Sequence, residues 1–151
     1  MIFSSCSSYW ETQEEYLLPA SSNIKRIKTK VIGITTYNYY DILGEISGAN
    51  LLNFPKNAMA GRGWIMKKWH TASTQEIENL NAFFTEEKSD QETASKIIET
   101  IKDGKNYVIA YAHDNGKPSL MENDYMIYNW MEFYYLDMRH KKLIHISYGK
   151  F

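Results

Sequence analysis

The chain has 151 residues, of which 44% are hydrophobic, 15% aromatic and 23% charged, with a formal net charge of −1 at pH 7. That length fits one domain, and the apolar share suffices for a packed core, which excludes an intrinsically disordered chain. A net charge so near zero also removes the global basic field that nucleic acid or an anionic membrane would draw on.

Twelve Tyr, six Phe and four Trp supply rings that bury much surface each. The plainest reading puts most of them in the core. The functional reading leaves some on a contact surface, where Tyr and Trp are favoured. Charge is unevenly spread. Residues 1–72 hold 8 basic and 5 acidic residues, net +3; residues 73–103 hold 3 and 8, net −5; residues 104–151 hold 6 and 5, net +1. The acidic excess falls on predicted helices, where a solvated face accounts for it. A single cysteine, Cys6, excludes an internal disulfide and suits a reducing compartment. Met1 to Ser8 carry no basic region followed by a long apolar run, so no signal peptide is expected. No stretch approaches the length of a membrane span. The expected location is cytoplasmic.

In chain order, residues 8–18 read as a short helix, with Ser8 and Glu11 at capping-box spacing and Pro19 as the stop. Residues 24–37 are rich in β-branched side chains and read as one long strand bent at Gly33. Lys25, Arg26, Lys28 and Lys30 make its first half basic, which marks an edge or a protruding ribbon. Residues 38–60 are ambiguous: Tyr39, Tyr40, Ile42, Leu43 and Ile46 fit a strand or a helical turn, and Gly44 to Asn57 an irregular loop. Residues 63–70 read as a strand. Ser73 and Glu76 form a capping box that opens a helix with Ile77, Leu80 and Phe84 at helical spacing. A second box, Ser89 to Glu92, opens a helix with Ala94, Ile97, Ile98 and Ile101 on one face and Gly104 as its C′ residue. Together they predict a helical hairpin.

Residues 105–113 follow as a strand, with a turn signal at Asp114-Asn115-Gly116. Residues 123–137 alternate with both faces largely apolar, as in a central strand covered on both sides or with one side offered to a partner. Asp137 to Lys141 are a polar turn and residues 142–149 the last strand. Short connections force antiparallel neighbours. The expected fold is therefore a single α+β domain over residues 1–151. It combines an antiparallel sheet ending in a three-strand meander, a central helical hairpin and a short N-terminal helix.

Chemistry is sparse. There is no Gly-x-Ser-x-Gly elbow, Walker loop or Gly-x-Gly-x-x-Gly run, and no closed zinc spacing. Neither a cofactor nor a metal is expected. Among four histidines, His113 and His145 fall where a meander would bring them towards one sheet edge, as acid and base of a small nuclease; turn or surface histidines are the plainer reading. The Lys25–Lys30 ribbon with Tyr37, Tyr39 and Tyr40 offers phosphate contacts and stacking rings, but neutral net charge and the lack of a module signature count against nucleic acid. A homo-oligomer would bury strand 123–137 in a self-interface. Without catalytic machinery the expectation is a non-enzymatic protein-binding module, contacting its partner through Trp130, Tyr134 and Tyr128 with Glu132, Asp137 and Glu122.

The run Trp130-Met131-Glu132-Phe133-Tyr134-Tyr135-Leu136-Asp137, followed by Leu143-Ile144-His145-Ile146, is a strand–turn–strand pattern. With the chain's size and style, it resembles the small α+β immunity proteins of bacterial contact-dependent and polymorphic toxin systems. The resemblance implies a cytoplasmic protein that occludes a toxin domain encoded by an adjacent gene, by steric cover and charge pairing, with no turnover.

Overall fold

Residues Ile24 to Ile42 fold as a hairpin, not as one bent strand. In the computed structural model, which describes residues 17–55, 64–86, 89–114 and 130–149, β1 is Ile24–Ile32 and β2 is Thr35–Ile42. Ile32 pairs with Thr35 across Gly33-Ile34, and Gly33 has φ +60. A two-residue hairpin turn needs positive φ at such a position, which glycine adopts without a Cβ clash. The expected bend is therefore a full reversal, and the ambiguous residues 38–42 complete β2. Ile27 is the extra residue of a bulge between Arg26 and Lys28.

The remaining elements are β3 (Trp64–His70), α1 (Thr74–Glu86), α2 (Gln91–Thr100), β4 (Tyr107–Asp114), β5 (Trp130–Asp137) and β6 (Lys142–Gly149). Single 3-10 turns lie at Ala20–Ser22 and Ala49–Leu51. One six-stranded antiparallel sheet runs in the order β1-β2-β6-β5-β4-β3. The last three strands thus lie side by side in sequence order, as expected. The turn signal at residues 115–116, the first half of strand 123–137 and all but Leu17 and Leu18 of helix 8–18 fall outside the described residues.

Both faces of the sheet are packed, because alternate residues of β2, β4, β5 and β6 point to opposite sides and both sets are apolar. Under the helices lie Tyr37, Tyr111, Phe133, Tyr135, Ile146 and Tyr148, against Leu80, Phe83, Ile97 and Ile101. The other face buries Tyr40, Leu136 and Leu143 beneath Leu17, Leu18 and Leu51. Each such side chain contributes roughly 1.5–3 kcal/mol by leaving water.

The described tyrosines are mainly core, and several of their hydroxyls fasten the helices. Tyr37 Oη accepts the Asp90 N–H at 3.3 Å, and Tyr39 Oη meets Thr93 Oγ1 at 2.7 Å, both at the start of α2. Tyr135 Oη meets Thr100 Oγ1 at 2.8 Å at its end. Tyr111 donates to Glu76 at 2.7 Å in the first turn of α1. Buried tyrosines need a partner for the hydroxyl, and here the partners are helix ends.

The first capping box forms as expected: Glu76 N donates to Ser73 Oγ at 3.1 Å and Ser73 N to Glu76 Oε1 at 2.9 Å. The second helix starts one place later than expected, with Asp90 as N-cap; its carboxylate takes Thr93 Oγ1 at 2.8 Å and no backbone N–H. Gly104 is not a left-handed C′ residue. Its backbone comes so close to Thr71 that a Cβ would overlap the Thr71 side chain.

Candidate functional site

Three of the six residues expected to meet a partner are inside the protein. Glu132, Tyr134 and Asp137 are 0%, 4% and 1% exposed, because β5 lies between β4 and β6 and is covered on both faces. Asp137 instead caps the β5–β6 turn, accepting from His140 N and facing His140 Nδ1, each at 2.9 Å. Trp130 opens β5 opposite Gly149, while Tyr128 and Glu122 fall outside the described residues. β5 Trp130–Asp137 is an internal strand with β4 on one side and β6 on the other.

The histidine pair does not assemble either. His113 stands in the Met131–Tyr148 row, three register steps, roughly 10 Å, from the Ala110–Tyr134–His145 row. His145 is 1% exposed, stacks on Tyr134 with centroids 4.8 Å apart, and points Nε2 at Glu132 Oε1 at 2.6 Å. Ser147 Oγ donates to Glu132 Oε2 at 2.7 Å. Ser147 thus bonds the carboxylate and not the imidazole. The cluster is a buried polar girder across β5 and β6. Among the described residues no three of His, Cys, Asp and Glu converge as metal ligands, and no helix is long and apolar enough to cross a membrane.

Of the tyrosines beside the basic ribbon, Tyr37 and Tyr40 are buried. Only Tyr39 reaches the surface, and Lys28 Nζ lies over its ring at 4.8 Å from the centroid. No stacking platform for bases results.

What the ribbon does form is a cleft of about 240 Å³ between β1 and α2. Tyr39 and Ile144 make its floor; Lys28 and Lys30 rise from β1, and Thr93 and Lys96 from α2. Alternation brings Lys28 and Lys30 to the same side of β1, opposite Tyr39 and Tyr37 of β2. Lys30 is committed to Asp90 at 2.9 Å, and Lys142, at the rim, to Asp41. Partial burial pushes the Asp90 carboxyl up, but hydrogen bonds from Lys30, Thr93 and Tyr39 outweigh it and hold the group below its ordinary value. Burial raises the Tyr39 phenol to about 12; the Thr93 hydroxyl pulls it down and the Asp90 carboxylate adds to the rise. Tyr39 is therefore a neutral donor at physiological pH.

Lys28 and Lys96 have no carboxylate within ion-pair distance among the described residues. The basic ribbon was legible in the sequence; Thr93, Lys96 and Lys142 were not, since nothing local says that α2 comes to β1 or that β6 lies beside β2. The chain matches no protein-family model, and neither curated proteins nor solved structures give a significant match.

Proposed function

We propose that this chain is a non-catalytic protein-binding module that docks an acidic partner along β1 and the adjoining cleft. The observation that carries the reading is the outer edge of the sheet. β1 pairs with β2 alone among the described strands and shows Lys25 to Thr29 to solvent; Ile27 and Val31, beside four cations, are 52% and 65% exposed. Apolar contacts flanked by one sign of charge suit a protein surface of the opposite sign. The bulge at Ile27 and the lysines also blunt indiscriminate strand pairing, which favours recognition by side chains over open-ended strand addition.

In the biological form suggested by the likeness to immunity proteins, the partner is a toxin domain and docking covers its active site without turnover. A basic docking edge then calls for an acidic target, such as the carboxylate cluster of a metal-dependent nuclease, and not for a basic nucleic-acid groove. Co-expression with the product of the neighbouring gene, followed by light scattering, tests this. A 1:1 complex is expected, and Lys25→Glu with Arg26→Glu is expected to weaken it at least tenfold, mainly through a slower association rate. A complex indifferent to that double reversal would overturn the docking edge.

A further inference from the structure

We infer that the cleft between β1 and α2 is an anchor site for one side-chain carboxylate, an Asp or Glu, of the docked protein. The inference rests on the docking reading above and names what the cleft takes. Size comes first. At about 240 Å³ the cleft lies below the roughly 300–1,000 Å³ of cofactor and small-molecule sites, and it suits a single anchoring side chain of the kind that dominates interface energetics.

Charge comes second. Lys30 and Lys142 are neutralised by Asp90 and Asp41. That leaves Lys28 and Lys96, on opposite walls, against exposed Glu92 at the rim. The surplus is a single positive charge, which one carboxylate balances. A phosphate group, carrying about −1.5 to −2 at neutral pH, is better held by guanidinium forks or a nest of backbone N–H groups, and the cleft is lined by lysines and no arginine.

Preorganisation comes third. Lys28 is steered over the Tyr39 ring, and that ring is fixed by its bonds to Thr93 and Asp90. One of the two cations is thus already in place, which lowers the entropy cost of binding. Exposed Ile27 at the mouth adds an apolar lip for the stem of an incoming side chain.

Isotope-labelled chain titrated by NMR at low ionic strength, with acetylated and amidated hexaglutamate as probe, decides the matter. Saturable shifts are expected at the Tyr39, Thr93 and Lys96 amides. Lys96→Ala should weaken them roughly fivefold and Glu92→Gln should tighten them; opposite signs from two exposed residues of one helix are not the signature of misfolding. Shifts confined to Lys25 and Arg26, or cleft shifts indifferent to both variants, would overturn the anchor while leaving the docking edge standing. Absence of any shift along β1 would remove both. Tighter saturation of the cleft by inorganic phosphate than by hexaglutamate would overturn the carboxylate assignment.

Discussion

Glu76 concentrates several roles in one side chain. It is 3% exposed, closes the capping box of α1, accepts from Tyr111, and lies 2.9–3.1 Å from His70 Nε2. The other nitrogen of His70, Nδ1, faces Lys68 O at 2.7 Å, so the ring bridges Glu76 and the β3 backbone. Burial alone would raise the Glu76 carboxyl. The hydrogen bonds from His70, the Ser73 N–H and Tyr111 outweigh it and hold the group at about 2, against an ordinary 4.5. A carboxyl lowered on folding stabilises the fold fully above pH 4.5 and loses that contribution as pH falls towards 2. The shift corresponds to about 3 kcal/mol. Urea unfolding across this range should show wild-type stability falling steeply between pH 4.5 and 2, and Glu76→Gln should be less stable at pH 7 with a much flatter profile. A variant with the wild-type slope would mean that other carboxyls carry the acid sensitivity.

At the scale of elements, the sequence was readable where the determinants are local and unreadable where they are not. Ser73 and Glu76 announce α1 because a capping box is complete within four residues. β5 and β6 were readable because Asp137 to Lys141 leave no room for anything but a reversal. Gly33 was misread as a bend because neither Asn-Gly nor Asp-Gly marks the turn, and a lone glycine is equally at home in a bulge. The pairing of β2 with β6, from Thr35–Tyr148 to Asp41–Lys142, joins residues about a hundred positions apart and leaves no local trace. The apolar pattern of β5 left open whether both faces are covered or one meets a partner, and so Glu132, Tyr134 and Asp137 passed for contact residues.

Gly104 illustrates the same limit: it was expected to close the second helix, which instead ends at Thr100 with Ile101 as its C-cap, three residues earlier. The constraint on Gly104 is tertiary, from Thr71 after β3, whose Oγ1 donates to Gly104 O at 3.3 Å. Gly104→Ala should cost about 1–3 kcal/mol, and Thr71→Ala in the same chain should recover part of that loss, because it removes Cγ2 and Oγ1, the two nearest atoms the new Cβ meets. Equal losses in the single and double variants, read from denaturant midpoints, would place the cost in the backbone and not in the contact.

For the molecule as a whole, β6 is the strand on which the fold turns. It joins the hairpin β1–β2 to the β3–β4–β5 half of the sheet, and its alternate side chains belong to both cores. Leu143 is buried on the face beneath Leu17 and Leu51, and its neighbour Ile144 on the face beneath the helices; they are 0% and 3% exposed. Two cores that share one strand cannot unfold separately without exposing that strand's other face, so damage to either should be felt in both. Leu143→Ala and Ile144→Ala should each cost about 2–5 kcal/mol. More tellingly, each should lower amide-exchange protection to the same extent at Ile97 and Ile101 over one face and at Leu51 over the other, since all three then exchange through the same global opening. If Leu143→Ala loosens Leu51 alone while Ile97 keeps its protection, the irregular cover of that face is a separate cooperative unit, and β6 is a boundary between two units instead of the spine of one.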